Sequence, residues 1–534
     1  MSKIASVGPL TNGVNTNHPL LVVGAMLLAA FTVGFDTRVF LVGLADLRGM
    51  FGLSFDQGAW LASFASAPQI LIAPAVAWLV TVFGIRRIMV IPCFVYAVIS
   101  LLIPFVHGLG PLIVLHVMRA LLLGTFIPAT IMITFRNLEP RYWLIGLAIY
   151  SLRLPLSQSV GVFLVGVYTE YFGLQWLYWQ DVFIAPLIGL LIFLGAPREP
   201  IDHTLLARAD WGGMLLLGAS MGLIYIGLDQ GKRLNWFQSG TVTALIAAGL
   251  LLAVGFFINE SLVRYPWAHI SVLLSRNVAL GYGAIVAFIL ASITSSSLVP
   301  GYLETVVGLR PIQIGTFYIP VAILPLFLFA ALATLTLRFF DVRVGLMIGF
   351  TALAVSSFMA IRITGLWALQ NFPIIMMLQM LGQAFALLSA IVMIVANSDP
   401  KRSTANSAYI QVVRLGSAEL AVSLINTLVN KREQFHSNVI GSYVTQSAPP
   451  TQDVLSKLAE TFHPFSLMAD AAATATLSGL VRAQATILAY SDCFLISFWA
   501  GVAGLVLVAL MVSTPQGPLS PSGHPVAKAV PQPN

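Results

Sequence analysis

The chain has 534 residues, of which 58% are hydrophobic and only 9% charged, against about 25% charged in a soluble protein. So few charges cannot cover the surface of a soluble chain of this length, which excludes soluble enzymes and binding modules and leaves a polytopic membrane protein. The net charge of +7 is thinly spread, without a basic run; that argues against a nucleic-acid partner and fits loops facing anionic lipid.

A hydrocarbon core of about 30 Å takes about 20 apolar residues per helix. In chain order, fourteen runs meet this requirement: 20–44, 58–80, 86–106, 109–134, 143–168, 174–196, 211–228, 238–258, 277–301, 312–337, 343–362, 368–396, 404–429 and 490–512. The first twenty residues lack the charge and cleavage pattern of a signal peptide, so the first run is expected to stay as a helix. The two cysteines, Cys93 and Cys493, both lie in apolar runs, which excludes a disulfide framework and a cysteine metal site.

An even number of spans puts both ends on one side. Basic residues such as Arg86, Arg87, Arg136, Arg141, Arg338 and Arg343 fall on the loops that share the side of the N-terminus. That bias predicts both termini in the cytoplasm. The resulting organisation is a cytoplasmic arm (1–19), a six-helix bundle (20–196), a linker with two extra membrane helices (197–262), a second six-helix bundle (263–512) with a long outer loop (430–489), and a disordered cytoplasmic tail (513–534). Leu455, Leu458, Ala459 and Phe462 recur at helical spacing in the outer loop, so one or two surface helices are expected there.

Ionisable residues inside membrane helices are costly and mark candidate sites. Asp36 in the first run is the best candidate proton site, because a carboxylate in a low-dielectric cavity can exchange a proton as access alternates. A structural ion pair is the alternative. Arg38 lies on nearly the opposite helix face, so a partner must come from another helix. Arg119 and His116 share a face at i, i+3 and could bind an anionic group or modulate the proton site. Arg153, with Pro155, Ser157 and Gln158, makes a polar stripe suited to lining a cavity. Arg414 and Glu419 sit five apart, each needing an interhelical partner. Asp181 follows Trp176, Tyr178 and Trp179, which reads as an interfacial aromatic belt, with a wall for flat or cationic ligands as the alternative. His116, Arg153, Gln158, Asp181, Arg414 and Glu419 are therefore the substrate-cavity candidates, and Asp36 and Arg119 the proton-coupling ones. No nucleotide-binding GxxxxGK[ST] stretch and no HExxH zinc motif occurs, so an ion gradient is the expected energy source, with no metal, no other cofactor and no enzymatic activity.

The layout resembles the fourteen-helix drug/proton antiporters of the major facilitator superfamily, the EmrB/QacA type. Four stretches carry the resemblance: Gly34-Phe35-Asp36-Thr37-Arg38-Val39, running on to Asp56-Gln57-Gly58-Ala59-Trp60; Asp210-Trp211-Gly212-Gly213 through Leu228-Asp229-Gln230-Gly231-Lys232 to Asn235-Trp236-Phe237; Ser275-Arg276-Asn277; and Arg414, followed by the long loop and a final helix. The resemblance implies an all-α fold of two six-helix bundles plus two extra helices, rocking around a central site. It implies export of lipophilic or amphipathic compounds against inward proton flow across a bacterial inner membrane. The family's first-helix acid maps onto Asp36, and its fourth-helix Arg onto Arg119 or His116. The gating-loop motif retains Leu79, Gly84 and Arg86, with Ala77 for its first Gly and Thr81 for its Asp. The fifth-helix motif retains Gly161 and Gly166. A periplasmic adaptor on the outer loop rests on analogy alone. The rival readings are an exporter of one anionic or zwitterionic natural compound, for which the buried arginines speak, and a membrane sensor or scaffold that does not transport.

Overall fold

The computed structural model describes residues 18–128, 130–268, 272–273, 275–398, 403–445, 448–462, 468–514 and 519. Most of the expected arm and most of the expected tail lie outside them. The described residues are all-helical. Thirteen helices are long and apolar enough to cross a membrane, and a shorter apolar one, Leu109–Leu123, accompanies them.

The first half comprises α1 (Pro19–Phe51), α2 (Phe55–Phe83), α3 (Ile85–Leu102), α4 (Leu109–Leu123), α5 (Thr130–Asn137), α6 (Trp143–Val167) and α7 (Trp176–Gly195). Local chemistry sets their ends. Gly52, at φ +63°, caps α1 in the left-handed region, where a Cβ would be strained. Ser54 and Gln57 close a reciprocal capping box that starts α2. The fourth run is not one helix, as expected, but α4 and α5. Gly124 presses against the Gln69 backbone of α2, and Pro128 offers no N–H to continue the ladder.

A short α8 (His203–Ala207) leads to the inserted pair, α9 (Trp211–Gly231) and α10 (Gly240–Leu262). Asp210 caps α9 through Gly213 N at 2.8 Å and accepts from Asn259 of α10 at 2.7 Å. α9 lies on α10 and α2 and touches the second half, while α10 turns most of its surface outward.

The second half comprises α11 (Arg276–Ile293), α12 (Val299–Thr305), α13 (Pro311–Tyr318), α14 (Leu324–Phe339), α15 (Val342–Ala360), α16 (Pro373–Ala396), α17 (Ser403–Tyr443), α18 (Pro449–Phe462) and α19 (Ala469–Leu510). π-helical turns at Thr294–Leu298 and Ile319–Ile323 join α11 to α12 and α13 to α14. The segment 430–489 differs from the expected loop. α17 and α19 run through it as continuous helices, and α18 packs on α19. At about 1.5 Å per residue, α17 is about twice as long as the bilayer core is thick. Ion pairs tie the two extensions together: Arg432 to Asp492 at 2.5 Å, His436 to Asp492 at 2.8 Å and Arg482 to Glu433 at 3.5 Å.

The halves meet along two seams. In one, α6 packs on α13, α14 and α16; in the other, α2 packs on α17 with α9 alongside. Glycine permits the first. A Cβ on Gly166 would lie 2.6 Å from Ile312 N, and one on Gly315 would lie 2.8 Å from Phe163 N.

Candidate functional site

Within the first half, α1, α3, α4 and α7 bring five polar side chains onto one guanidinium. Arg119 of α4 takes Asp36 of α1 in a two-pronged pair, with Nη1 to Oδ2 at 3.2 Å and Nη2 to Oδ1. The same Nη2 donates to Asp181 Oδ2 of α7 at 2.6 Å, and Nε donates to Ser100 Oγ of α3 at 2.9 Å. Tyr96 of α3 donates to Asp181 Oδ2 at 3.2 Å. The guanidinium lies 4.8 Å from the Tyr96 ring centroid and 5.3 Å from that of Tyr178. Asp36, Arg119 and Asp181 are each at most 4% exposed. One cation therefore faces two carboxylates in a site shut off from water. With all three ionised the cluster carries one surplus negative charge, and a single proton on either carboxylate neutralises it. A buried unpaired charge is strongly disfavoured.

His116 lies one turn from Arg119 and does not join this network. Its Nδ1 donates to Leu112 O at 2.8 Å, which leaves Nε2 to accept from the Tyr178 hydroxyl at 3.0 Å. It thereby orients Tyr178, whose ring flanks Arg119. Asp181 is not part of the aromatic belt that its neighbours suggested. The belt is a separate face of α7, where Trp176 stacks on Phe183 at 6.2 Å, while Tyr178 and Asp181 share the buried face at i, i+3. Tyr96 and Ser100 were missed by sequence reasoning. Their i, i+4 spacing in an apolar helix was the available signal.

The other candidates fall in three places. Arg153 lies on α6 of the first half and Arg414 on α17 of the second. Arg153 is 3% exposed, its Nε has no hydrogen-bond partner, and its guanidinium lies 5.2 Å from the Tyr150 ring centroid. Arg414 donates through Nε and Nη2 to Gln411 Oε1, at 3.1 and 2.7 Å, on its own helix. Gln158 is half-buried on α6. Glu419 departs from the centre altogether and meets Tyr225 of the inserted α9, beside Asp229, which accepts from Ser63 of α2. Arg38 points away from Asp36, as its spacing required, and crosses to the second half, where Nη2 donates to Ser296 O at 2.9 Å.

The gating-loop residues lie on the face that also carries residues 18 and 514. Gly84 ends α2 at φ +79°, and Glu199 packs against it. Arg86 stacks on Phe193 at 4.0 Å. Where the motif has Asp, Thr81 Oγ1 accepts from Arg136 at 3.5 Å. The Glu199 carboxyl faces Arg136 as well. Burial raises the pKa of the Glu199 carboxyl above the ordinary range, and Arg136 opposes that rise. Leu79 packs against the core. Gly161 lets the Arg38 stem cross α6, and Gly166 makes the seam contact described above.

One Gly-x-Ser-x-Gly spacing does occur, at Gly218 to Gly222. It lies inside α9, where buried Ser220 donates to Gly249 O of α10 at 2.8 Å. It is a helix-packing contact, not a nucleophile turn.

Comparison with known proteins agrees with this architecture. The family model described as Major Facilitator Superfamily matches residues 26–418. The chain is 25% identical to the probable multidrug resistance protein EmrY of Escherichia coli, over 80% of this chain and 83% of the relative. It is 24% identical to the multidrug export protein EmrB of Haemophilus influenzae, over 93% and 96%. Among solved structures, a peptide transporter of the POT family in an auto-inhibited state aligns with a TM-score of 0.53 at 15% identity, covering 94% of this chain and 99% of that one. The xylose transporter XylE of E. coli, partially occluded and inward open, aligns at 0.51 and 10% identity, covering 93% and 98%. These two likenesses bear on the fold alone. A multi-pass helical chain, matched by the family model over most of its length and by EmrB-type export proteins over nearly all of it, belongs to the major facilitator superfamily.

Proposed function

We propose that the protein is a secondary transporter that exports lipophilic or amphipathic small molecules in exchange for protons, by alternating access between the two seams. The observation that carries this reading is the buried cluster of one arginine between two carboxylates. Its surplus charge calls for a proton when the site is closed, and the proton can leave when the site opens to water. The family match and the EmrB-type relatives support transport of small molecules and the efflux direction. We infer from the basic loops that the face carrying residues 18 and 514 is cytoplasmic, in a bacterial inner membrane. The extension 430–489 then projects from the far side, where an adaptor protein would meet it.

The test uses sealed liposomes containing the full chain, acidic on the side towards which substrate moves. A panel of lipophilic cations, neutral compounds and organic acids is added, and the pH gradient is followed with a dye. Some member should dissipate the gradient in wild type and fail to do so in Asp36→Asn. Folded, oriented protein that moves no protons with any compound overturns the reading and favours a sensor or scaffold.

A further inference from the structure

The two halves do not close on each other along the whole of the first seam. Towards the face that carries residues 18 and 514, α6 and α14 part to leave a groove of about 520 Å3. Small side chains make the room: Ala148 of α6 and Ala330 and Ala331 of α14 line it where larger residues would fill it. Thr334 turns its hydroxyl onto its own helix, donating to Ala330 O at 2.7 Å, so it adds no free polar group to the wall. Ile145, Ile149, Phe327 and Leu335 also line the groove and are exposed. The groove therefore opens sideways, onto the lipid. A space of this kind in a lipid-facing wall forfeits dispersion contacts if it stays empty, and hydrocarbon chains are the solvent at hand to fill it.

One end of the groove is charged. Arg141, just before α6, and Arg338, in the last turn of α14, both line it, so each half contributes one guanidinium. Both sit where a helix leaves the membrane, at the level of the lipid head groups. Arg141 also pairs with Glu139 at 2.7 Å, but these side chains are 68% and 66% exposed, and a pair so open to water contributes little and yields readily to a competing anion. Guanidinium is the cation best matched to a phosphate, through paired N–H donors. We propose that this groove is a binding site for an anionic membrane phospholipid, with one acyl chain lying between α6 and α14 and the phosphate held by Arg141 and Arg338. Basic pockets between membrane helices select acidic head groups on the same grounds. Because the two helices belong to opposite halves, a seated lipid bridges them. Leu519, near the end of the chain, is 8% exposed and reaches into the same groove, so it competes with the lipid for part of the space. The site is independent of what the protein carries, and its test needs no transport.

The test is photo-crosslinking of the purified full chain in neutral detergent, with phosphatidylglycerol and phosphatidylcholine that carry the same diazirine in mid-chain. Labelled peptides are mapped by mass spectrometry. Phosphatidylglycerol should label residues 144–152 and 327–335 at least about tenfold more than phosphatidylcholine at equal, subsaturating concentration, since each arginine near a head group favours an acidic lipid by about fivefold. Arg141→Gln and Arg338→Gln should each lower that preference about fivefold. Ala331→Trp, at an exposed position of the wall, should abolish labelling of the groove by both lipids while the thermal melt stays that of wild type. Leu519→Ser should raise labelling by phosphatidylglycerol. Equal labelling by the two lipids overturns the proposal, and so does a preference that survives in the folded double glutamine variant. Labelling of the groove that appears only after residues 515–534 are removed assigns it to the chain's own tail and overturns the proposal as well. Should Ala331→Trp not fold, the wild-type preference and the glutamine variants decide alone.

Discussion

Asp181→Asn probes the charge count of the buried cluster. Asp36 and Asp181 accept from the same nitrogen of Arg119, with Asp181 Oδ2 at 2.6 Å. The two carboxyl groups also lie within hydrogen-bond reach of each other, so their charge centres are about 4–5 Å apart. At an effective dielectric of about 20, two carboxylates at that distance repel by about 3–4 kcal/mol, or two or more orders of magnitude in an equilibrium constant. On the proposed exchange, that repulsion is what a proton would relieve. Asparagine keeps the size of Asp181 and can still accept from Arg119 and Tyr96, so the packing of α7 against α3 and α4 survives. It removes the surplus charge, and Asp36 and Arg119 become a balanced pair with no need of a proton. The variant should fold and bind substrate normally, while substrate-driven proton movement in liposomes falls at least about tenfold. The pH dependence of exchange between the buried state and water should flatten. Wild-type proton coupling with an unchanged pH profile in Asp181→Asn would sink the argument, since the second carboxylate would then be a spectator.

Arg119→Ala leaves both carboxylates buried without a cation, and the protein should lose about 3–5 kcal/mol of stability; a thermal melt of Arg119→Ala beside Arg119→Lys checks this, with Lys recovering part of the loss through its single point charge. Gly315→Ala places a methyl against the Phe163 backbone, which cannot yield as a side chain end would, so the α6–α13 contact should be held apart. Labelling of a cysteine introduced near Ile312 should accelerate severalfold in that variant, and an unchanged rate would show that the contact is dispensable. For Glu199, burial favours the neutral carboxyl in the folded state. Its contribution to stability is therefore fully present below the unfolded glutamate value of about 4.3 and is lost as pH rises through the higher folded value. Melting temperatures across this acidic window should fall less steeply with rising pH in Glu199→Gln than in wild type.

What was legible in the sequence was whatever apolarity and residue type report directly. The membrane runs follow from hydropathy, and Asp36 and Arg119 declare themselves by charge in an apolar setting. Pairing was not legible, because spacing along one helix fixes faces only within that helix. Arg119 therefore had no visible claim on Asp36, and none on Asp181. Asp181 was obscured by a local signal of another kind: Trp176 and Trp179 pointed to a membrane interface, and only the packing of α7 separates the aromatic face from the acidic one. The lengths of α17 and α19 were missed because hydropathy reports lipid contact, not helicity. Past residue 430 the residues turn polar, yet no proline interrupts α17 before Tyr443, so the backbone has no reason to stop. Glu199 falls in the linker 197–262, where a loop residue facing Arg136 leaves no periodic trace.

Under the proposed proton exchange, helix α1 would link these observations. Asp36 faces α4 and α7, where its charge is balanced or not according to one proton. Two residues either side, Gly34 fits against Ser157 and Arg153 of α6, and Arg38 reaches Ser296 in the second half. The proton cluster is wholly inside the first half and touches nothing that moves between halves. One route from the cluster to the seam runs along α1, which holds the carboxylate on one face and Arg38, the contact with the second half, on the other. On the proposed exchange, release of Asp36 from Arg119 would remove this ion pair between α1 and α4 while keeping Arg38 on the second half. The same helix would then be free to follow the second half in the proposed rocking motion. Coupling by this route requires no chain of titrating groups between proton and substrate; it requires that α1 be rigid between residues 34 and 38, where the helix is unbroken.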